Sequence, residues 1–526
     1  MTRSDSVVRA RPTLTRVPDR PKVVTRLRGV DPWGPVLAAA ATAVFLVHGF
    51  GGILTRDLAL YAYGGQQFAE GVPPFVSVLN RAGPLAHMVP GVATWFGRLL
   101  GADSGVDDLF AMRVLMTVFA IASVWVVYLL TRDAFGSRVA GIAAATSLLA
   151  FQGFVTYATG GPREKTTMML LMALALWAVV HRRWGRAGVA VALATLTWQP
   201  VFFGAAGAVA VGALLVRGGR GTVVALTRFA VGGVVTTALF VVYFVLVDAL
   251  EEFWNAFYAI NATYTRQSGL LYYLAEDPTE ILVGFGWSLI LILLGLAAMV
   301  ALAAVRLRGL DRDNPHDVAV VAVGSGTLVS LMWSFNVFNG WADAIFVLPL
   351  AAAGLGGLVH AVARALPGRA AVPLAAAYVV VVGVAGGANA WVTRDDRLGP
   401  MADVNEQVLE IVGPDATIMS VGSPQPLVFG RRENTIYHQM FLAGLYEYVD
   451  DTWPGGVEGL ADDIREDPPT LITVDGLEYY HFLRPVLSDE YELVGTTYLM
   501  TWYVDRSVGE DELARLREVV GRELPD

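Results

Sequence analysis

Residues 186–217 read RAGVAVALATLTWQPVFFGAAGAVAVGALLVR, and this stretch decides how the chain is threaded. Its 32 residues carry charges only at the two ends. A helix crosses a bilayer with about 20 apolar residues, so the run is long for one span and short for two. Gln199-Pro200 lies near its centre, and a proline there tends to break a helix. The stretch is therefore either one long span or two half-length helices hinged at Gln199-Pro200.

The whole chain has the composition of a membrane protein. Of its 526 residues, 55% are hydrophobic and only 16% are charged, and the mean hydropathy is +0.52. Soluble globular proteins carry about 25% charged residues, so a soluble enzyme, a disordered scaffold and a coiled coil are excluded. The sequence has no cysteine, which also excludes disulfides and thiolate metal sites.

Other apolar runs are also long enough to be transmembrane helices. Lys and Arg are enriched in cytoplasmic loops, and the basic loops all fall on one side only if residues 186–217 form two helices. This predicts a polytopic α-helical protein of the plasma membrane with about eleven spans, a cytoplasmic N-terminus and an extracytoplasmic C-terminal domain. The other runs lie near 34–55, 111–131, 137–157, 165–181, 223–248, 283–306, 316–336, 341–365 and 370–393.

Three regions follow from these runs. Residues 1–33 form a basic cytoplasmic tail, residues 34–393 a transmembrane domain, and residues 394–526 an acidic domain in water. The last region has 27 acidic and 10 basic residues, which argues against nucleic-acid binding. Short strand and helix patterns, with expected strands at Ala416–Gly422 and Asn434–Met440, predict a small, independently folded α/β domain. This domain is expected to serve as a lid or scaffold over the membrane part. Alternatively, it binds an acceptor polymer.

Polar residues of the spans are predicted to gather at the extracytoplasmic helix ends. The middle of the spans is almost free of ionisable groups, whereas an ion-coupled transporter would normally need charges near the midplane. The chemistry is therefore expected at one membrane interface. The alternative is that these residues have no function, because helix ends that contact water are usually polar. The residues concerned are His48, Arg113, Arg163, Glu164, Lys165, Gln199, Asp248, Asn336, Asn339 and Asp343.

The first outer loop, residues 56–110, is predicted to rest on the membrane surface. Asp57 would begin a helix and complement its dipole, and Tyr61 shares its face because the two are four residues apart. Pro84–Gly101 has apolar residues at helical spacing, which indicates an amphipathic helix with Arg98 suited to the headgroup plane. Such a loop brings a water-soluble reactant and the headgroup of a lipid-borne reactant to one place. The alternative is that Asp57 only caps its helix.

Short motifs occur in a fixed order relative to the spans. They are Asp57 with Tyr61, Gly71-Val72-Pro73, Gly83-Pro84-Leu85, Ala111-Met112-Arg113, Arg132-Asp133-Ala134-Phe135-Gly136 and Gly161-Pro162-Arg163-Glu164-Lys165. Over residues 35–250 this order resembles the GT-C membrane glycosyltransferases, which include protein O-mannosyltransferases and the aminoarabinose transferase of lipid A. Beyond that region only the architecture is similar.

The resemblance implies a GT-C-like fold and a reaction. These enzymes take a sugar from a polyprenyl-phosphate carrier and transfer it outside the cytoplasmic membrane with inversion at the anomeric carbon. The family's first-loop acid is the general base, and Asp57 occupies its position. That role suits the chemistry, since an acceptor hydroxyl is a poor nucleophile until a carboxylate takes its proton. Glu164 matches a second family acid that orients acceptor or sugar hydroxyls.

The departing lipid phosphate needs cationic donors, which Arg or Lys supply best. In order of preference, the candidates are Arg163, Lys165, Arg81 and His87. Further residues predicted to bind substrate are Tyr61, Gln199, Arg266 and Asp343. Gln199 is alternatively a structural hinge. The expected partners are a polyprenyl-phosphate-linked sugar, membrane lipid, and a glycan, lipid or protein acceptor.

No metal site or cofactor is predicted. Many GT-C enzymes carry an acidic pair at the first position, but Asp57 is followed by Leu58. A divalent cation usually needs two or more carboxylates, so its presence is not firmly expected. Two other functions stay open. One is a transporter or flippase of lipid-linked glycans, and the other is a non-catalytic assembly subunit whose outer acids merely cap helices.

Overall fold

The computed structural model describes residues 31–216, 218–265, 269–276, 278–442, 444–477 and 480–521, and these are mostly helical. Within them, six helices are long and apolar enough to cross a membrane, or up to seven if a bent pair is one span. The chain is thus a polytopic helical membrane protein, while the count of about eleven spans stays a prediction. Residues 1–30 of the predicted basic tail lie outside the described residues.

The first half of the membrane region consists of α1 (Trp33–His48), α2 (Arg56–Ala69), α3 (Leu85–Leu99), α4 (Gly105–Phe135), α5 (Arg138–Ala150), α6 (Gln152–Gly160), α7 (Glu164–Val180), α8 (Trp184–Thr195), α9 (Val201–Leu214) and α10 (Gly219–Leu246). α2 and α3 belong to the predicted first outer loop. α5 and α6 are bent by 69° relative to each other. The run 137–157 is therefore not the continuous span expected, because the extended backbone of Phe151 separates the two helices.

The second half consists of α11 (Leu250–Trp254), a π-helical turn (Asn255–Ala259), α12 (Ile260–Thr263), α13 (Leu270–Glu276), α14 (Pro278–Phe285), α15 (Ser288–Arg308), α16 (Pro315–Asn336), a 3-10 helical turn (Trp341–Val347), α17 (Leu348–Ala365) and α18 (Gly368–Val392). In the most apolar 18-residue segment of α10, and likewise of α18, only 11% is buried inside the protein. These two helices therefore lie on the outside of the bundle, where lipid would surround them.

The ambiguous run 186–217 forms two helices. α8 ends at Thr195, and α9 begins at Val201 directly after Pro200, which has no backbone N–H to continue the preceding helix. α8 begins beside His181 at one end of the bundle, and the turn at Trp198 lies in a cavity at the other end. The interpretation as two helices is confirmed, and the single long span is wrong.

Small residues let the helices of the bundle approach each other closely, as is common in membrane proteins. α15 crosses α17 at Gly295 and Gly354. A Cβ atom at Gly354 would lie 1.9 Å from the carbonyl oxygen of Gly295, and one at Gly295 would lie 2.2 Å from that of Ala351. Glycine is therefore required at this crossing because a side chain would overlap the backbone of the other helix, and not because of its own backbone conformation.

The predicted amphipathic helix of the first loop is α3. Its exposed face is apolar, with Val92, Trp95, Phe96 and Leu99 each at least 43% exposed, which fits a helix lying on a membrane. Arg98 has two acidic partners, and its place in the headgroup plane stays a prediction. Its guanidinium contacts Asp108 at 2.9 Å and Glu70 at 3.1 Å, because the buried carboxylate of Asp108 requires a cation.

The C-terminal part contains α19 (Leu398–Val412), β1 (Ile418–Val421), α20 (Gln425–Gly430), α21 (Leu445–Thr452), α22 (Gly456–Glu466), β2 (Leu471–Val474), α23 (Leu483–Glu490), β3 (Tyr491–Thr497), β4 (Met500–Asp505) and α24 (Glu510–Val520). Its strands form one sheet in the order β1-β2-β4-β3, in which β1 and β2 are parallel and the other neighbours antiparallel. The expected strand at Asn434–Met440 is wrong. Asn434 forms a single bridge to Ile418, and its side chain accepts a hydrogen bond from the backbone N–H of Ser420 at 2.8 Å.

This C-terminal part packs onto the bundle. Met401 and Trp502 belong to the same buried apolar core as the membrane helices. Arg431 contacts the buried Asp108 of α4 at 2.8 Å, and the side-chain amide of Gln66 on α2 donates to the carbonyl of Val428 at 3.0 Å. The first loop is therefore held between the bundle and the C-terminal part.

Replacing Gly354 by alanine should destabilise the protein by about 1–3 kcal/mol, because the new methyl group would overlap the backbone of α15. Gly387 on α18 is the matched control, since a Cβ atom there meets nothing within 4 Å. Gly387→Ala should be neutral or slightly stabilising, because alanine is the better helix former. The measurement is the thermal unfolding midpoint in detergent, which should fall for Gly354→Ala and stay the same or rise slightly for Gly387→Ala. Equal midpoints for the two variants would contradict the close crossing.

Candidate functional site

A cavity of about 460 Å³ lies at one end of the bundle, here called the site end. The starts of α2 and α7, the turn between α8 and α9 and the turn between α16 and α17 all meet there. The C-terminal part closes it with Met440, Leu442 and Leu445. Eight of the predicted catalytic and substrate-binding residues line it, namely Asp57, Tyr61, Arg81, Arg163, Glu164, Lys165, Gln199 and Asp343.

Asp57 and Glu164 are joined by one guanidinium group. Arg163 Nη2 lies 2.7 Å from Asp57 Oδ2, and Arg163 Nε lies 3.5 Å from Glu164 Oε2. The Asp57 side chain keeps 36% of its surface exposed, whereas that of Glu164 keeps 3%. Of the two carboxylates, Asp57 is thus the one that a substrate can reach.

Lys165 joins Glu164 to Asp343. Its Nζ atom lies 3.2 Å from Glu164 Oε1 and 3.1 Å from Asp343 Oδ1, and it sits 3.4 Å from the centre of the Trp198 ring. The side chain is only 1% exposed. With both carboxylates and the indole around it, Lys165 is enclosed by protein groups and holds α7 to the turn that carries Asp343.

Local sequence explains why these charges converge. Gly161 and Pro162 are followed by Arg163 in extended conformation, and α7 begins at Glu164. Arg163 therefore points away from α7 towards Asp57 of α2, and its guanidinium also donates to the hydroxyl of Tyr157 on α6. Tyr157 in turn stacks on Trp341 with the ring centres 4.9 Å apart.

The loop that carries Arg81 is fixed by side-chain amides. Gln199 Nε2 donates to the Arg81 carbonyl at 2.8 Å, and Asn261 Nδ2 donates to the same oxygen at 3.0 Å. Arg81 Nη1 donates to Thr265 Oγ1 at 3.3 Å. Burial lowers the pKa of Arg81, although Asp343, Tyr61 and Asp57 oppose that shift. Gln199 thus lines the cavity and also positions this loop.

Tyr61 lies one helical turn after Asp57 and is 7% exposed. Burial raises its pKa well above the ordinary value, and the carboxylate of Glu164 raises it further. The phenol is therefore protonated at neutral pH, so it can donate a hydrogen bond inside the cavity.

Two predicted residues are not placed in the cavity. His87 is fully buried beside Phe75 and Tyr61, and burial lowers its pKa to about 4. A neutral, enclosed imidazole is no cationic phosphate donor, so that prediction is wrong. The rings that decide this come from α2 and from the segment that follows it, and not from the helix of His87 itself. Arg266 lies outside the described residues.

The sequence reasoning missed several lining residues. Arg56 is the main one, with its Nε atom 3.9 Å from Asp57 Oδ1, and its position directly before Asp57 was the available signal. Phe203 and Trp333 stack with ring centres 4.0 Å apart and form an apolar wall. They lie on different helices, so no local pattern links them.

A second cavity of about 440 Å³ lies at the opposite end of the bundle, between Arg132, Asp133, His181 and His316. Asp133 accepts from the Trp177 indole at 3.0 Å and contacts Arg132 at 2.7 Å. The Arg132–Gly136 motif thus lies at the end away from Asp57. Within the described residues, no group of three or more His, Cys, Asp or Glu side chains is arranged to hold a metal ion.

Comparison with known proteins supports the fold. No family model matches the sequence, and no curated protein matches it significantly. The apo crystal structure of ArnT from Cupriavidus metallidurans gives a TM-score of 0.61 at 16% identity, covering 94% of this chain and 99% of ArnT. ArnT bound to undecaprenyl phosphate gives 0.60 at 16% identity, with 90% and 98% covered.

The oligosaccharyltransferase AglB from Archaeoglobus fulgidus, in complex with an inhibitory peptide and a dolichol-phosphate, gives a TM-score of 0.51 at 12% identity. The match covers 90% of this chain and 74% of AglB. ArnT and AglB both have the GT-C fold. The fold that the sequence resemblance implied is therefore confirmed.

Replacing Lys165 by methionine should lower the stability by about 3–5 kcal/mol, because Glu164 and Asp343 would lose their shared cation. Differential scanning fluorimetry in detergent measures the effect as a lower unfolding midpoint. Arg465→Met is the control, since it removes an exposed ion pair with Asp462 and should cost less than about 1 kcal/mol. Similar midpoints for the two variants would contradict the structural role of Lys165.

Proposed function

We propose that this protein is an inverting membrane glycosyltransferase. It moves a sugar from a polyprenyl-phosphate donor to an acceptor hydroxyl at the extracytoplasmic face of the plasma membrane. The observation that supports this most directly is one cavity in which a part-exposed carboxylate, Asp57, faces several fixed cations and an apolar aromatic wall. The acceptor is a glycan, a lipid or a protein.

Asp57 acts as the general base. The acceptor hydroxyl gives its proton to the Asp57 carboxylate while its oxygen attacks the anomeric carbon, and the bond from that carbon to the phosphate oxygen breaks on the opposite face. Arg163 orients the carboxylate through the 2.7 Å ion pair. Glu164 is too enclosed to meet a bulky substrate, so it positions Arg163 and Lys165. Tyr61 donates to a sugar or acceptor oxygen.

Binding of the departing phosphate falls to Arg81 and Arg56. The described lining residues include four cations and three carboxylates, so the cavity has a formal excess of one positive charge. Lys165 is shared between Glu164 and Asp343, and Arg163 between Asp57 and Glu164. We assign the anionic headgroup to Arg81 and Arg56, which line the same cavity, and the contacts of Arg56 with Asp57 and Asp475 are longer, at 3.9 Å each. The apolar wall of Phe203 and Trp333 suits the hydrocarbon part of the donor.

The distribution of buried charge favours an enzyme over a transporter. In the described membrane helices, the buried charged side chains include Arg113, Glu164 and Lys165 near the site end and Asp317 near the opposite end. A carrier of charged cargo would place such groups at mid-depth. An assembly subunit would not require a carboxylate held part-exposed in a cavity by a buried arginine.

The orientation in the membrane rests on the basic loops. Arg132 and Arg138 lie at the end of the bundle opposite to Asp57, as do Arg182 and Arg183, which directly precede α8. Basic loops are cytoplasmic as a rule, so the cavity and the C-terminal part face outward.

Asp57→Asn should reduce sugar transfer by about 10²–10⁴-fold, because the amide cannot accept the proton of the acceptor. The assay supplies the purified protein with a panel of labelled polyprenyl-phosphate sugars and measures the polyprenyl phosphate released. Asp403→Asn, an exposed change on α19, is the matched control and should keep full activity. Substantial transfer by a folded Asp57→Asn variant would rule out the proposed base.

Arg81→Gln should weaken donor binding by about 1.5–3 kcal/mol, the value of a hydrogen bond to a charged group. The expected result is a raised KM for the donor with a smaller change in kcat, measured in the same release assay. The exposed Arg515→Gln change on α24 serves as its control. An unchanged KM would show that the phosphate binds elsewhere.

A further inference from the structure

The charged side chains deep in the cavity alternate in sign. Asp57 contacts Arg163, Arg163 contacts Glu164, Glu164 contacts Lys165, and Lys165 contacts Asp343, with all four distances between 2.7 and 3.5 Å. This row, here called the charge row, comes from three separate parts of the chain. Three consecutive residues at the start of α7 supply its centre.

A divalent cation would need at least two of these carboxylates to turn their oxygens towards a common point. In the charge row each pair of neighbouring carboxylates already shares a side-chain cation. Arg163 occupies the space between Asp57 and Glu164, and Lys165 occupies that between Glu164 and Asp343. The donor set therefore does not fit a metal ion.

Arg163 is also held from its other side. Its guanidinium donates to the Tyr157 hydroxyl and lies 5.0 Å from the centre of that ring. The side chain is only 15% exposed. A metal ion entering between Asp57 and Glu164 would have to displace a buried guanidinium with three partners, in a cavity that is already positive.

We infer that Arg163 takes the place of a divalent cation between Asp57 and Glu164. As a positioning residue it orients the base and supplies fixed positive charge beside the reacting centre, so transfer needs no metal. This inference rests on the proposed function for its catalytic part, but the arrangement of charges can be tested without any substrate.

Mn²⁺ is the probe for the substrate-free test, and binding to the full-length protein is followed by electron paramagnetic resonance. The unaltered protein should bind no Mn²⁺ in the cavity up to about 1 mM, the weak end of natural divalent-cation sites. Arg163→Gln removes the cation that Asp57 and Glu164 share, so this variant should gain one Mn²⁺. Adding Asp57→Asn to it should abolish that gain.

Arg394→Gln is the control, because it removes one positive charge from an exposed ion pair with Asp396 and should not create a site. The inference is overturned if the unaltered protein binds Mn²⁺ and Glu164→Gln abolishes that binding. If Arg163→Gln fails to fold, Mn²⁺ binding by the unaltered protein and by Arg163→Lys still tests the inference. Neither protein should bind Mn²⁺ in the cavity.

The transfer activity of the enzyme provides a separate test of the inference. Transfer by the unaltered protein should be insensitive to EDTA, and Arg163→Gln should lose about tenfold or more, as expected for a group that orients a catalytic ligand. Arg163→Lys should retain more activity than Arg163→Gln. If no donor is turned over but Mn²⁺ binding follows the expected pattern, the proposed function fails alone. If transfer occurs and EDTA stops it, the inference fails alone.

Discussion

The ion pair between Arg163 and Asp57 is the contact on which the site depends. It joins the start of α7, a membrane helix, to the start of α2, a helix of the first loop. A guanidinium that is 15% exposed cannot stay in place without an anion, and an unpaired buried charge would cost several kcal/mol. The pairing therefore fixes the first loop over the bundle and leaves Asp57 as the accessible edge of a buried network.

The packing of the rest of the fold holds that contact in place. Close glycine crossings such as Gly295 with Gly354 hold the membrane helices rigidly, and the break at Pro200 brings Trp198 against Lys165. From the other side, Arg431 of the C-terminal part contacts Asp108 of α4 and holds the first loop against the bundle. The cavity thus has rigid walls from three regions of the chain, which is what the proposed transfer between two substrates requires.

Particular residues show how far the sequence could be read. The charge of the loops and the proline at position 200 were sufficient for the two-helix interpretation, because both act locally or through the positive-inside rule. His87 was misjudged, and the partner of Arg98 was not foreseen, for one shared reason. Asp108 pairs with Arg98, and apolar rings enclose His87, yet no spacing along the chain predicts either environment. The strand expected at Asn434–Met440 failed because Asn434 uses its side chain to bond the backbone of Ser420.

By itself, the sequence determined the membrane class, the break near Pro200 and most of the charged residues that line the cavity, because hydropathy and charge are additive properties of short segments. Only the tertiary structure decided which charges are partners and which are exposed. Lys165 and Asp57 look equally available in the sequence, but one is 1% and the other 36% exposed. That difference depends on groups far apart in the chain, such as Trp198 and Asp343, whose positions are set by the packing of whole helices.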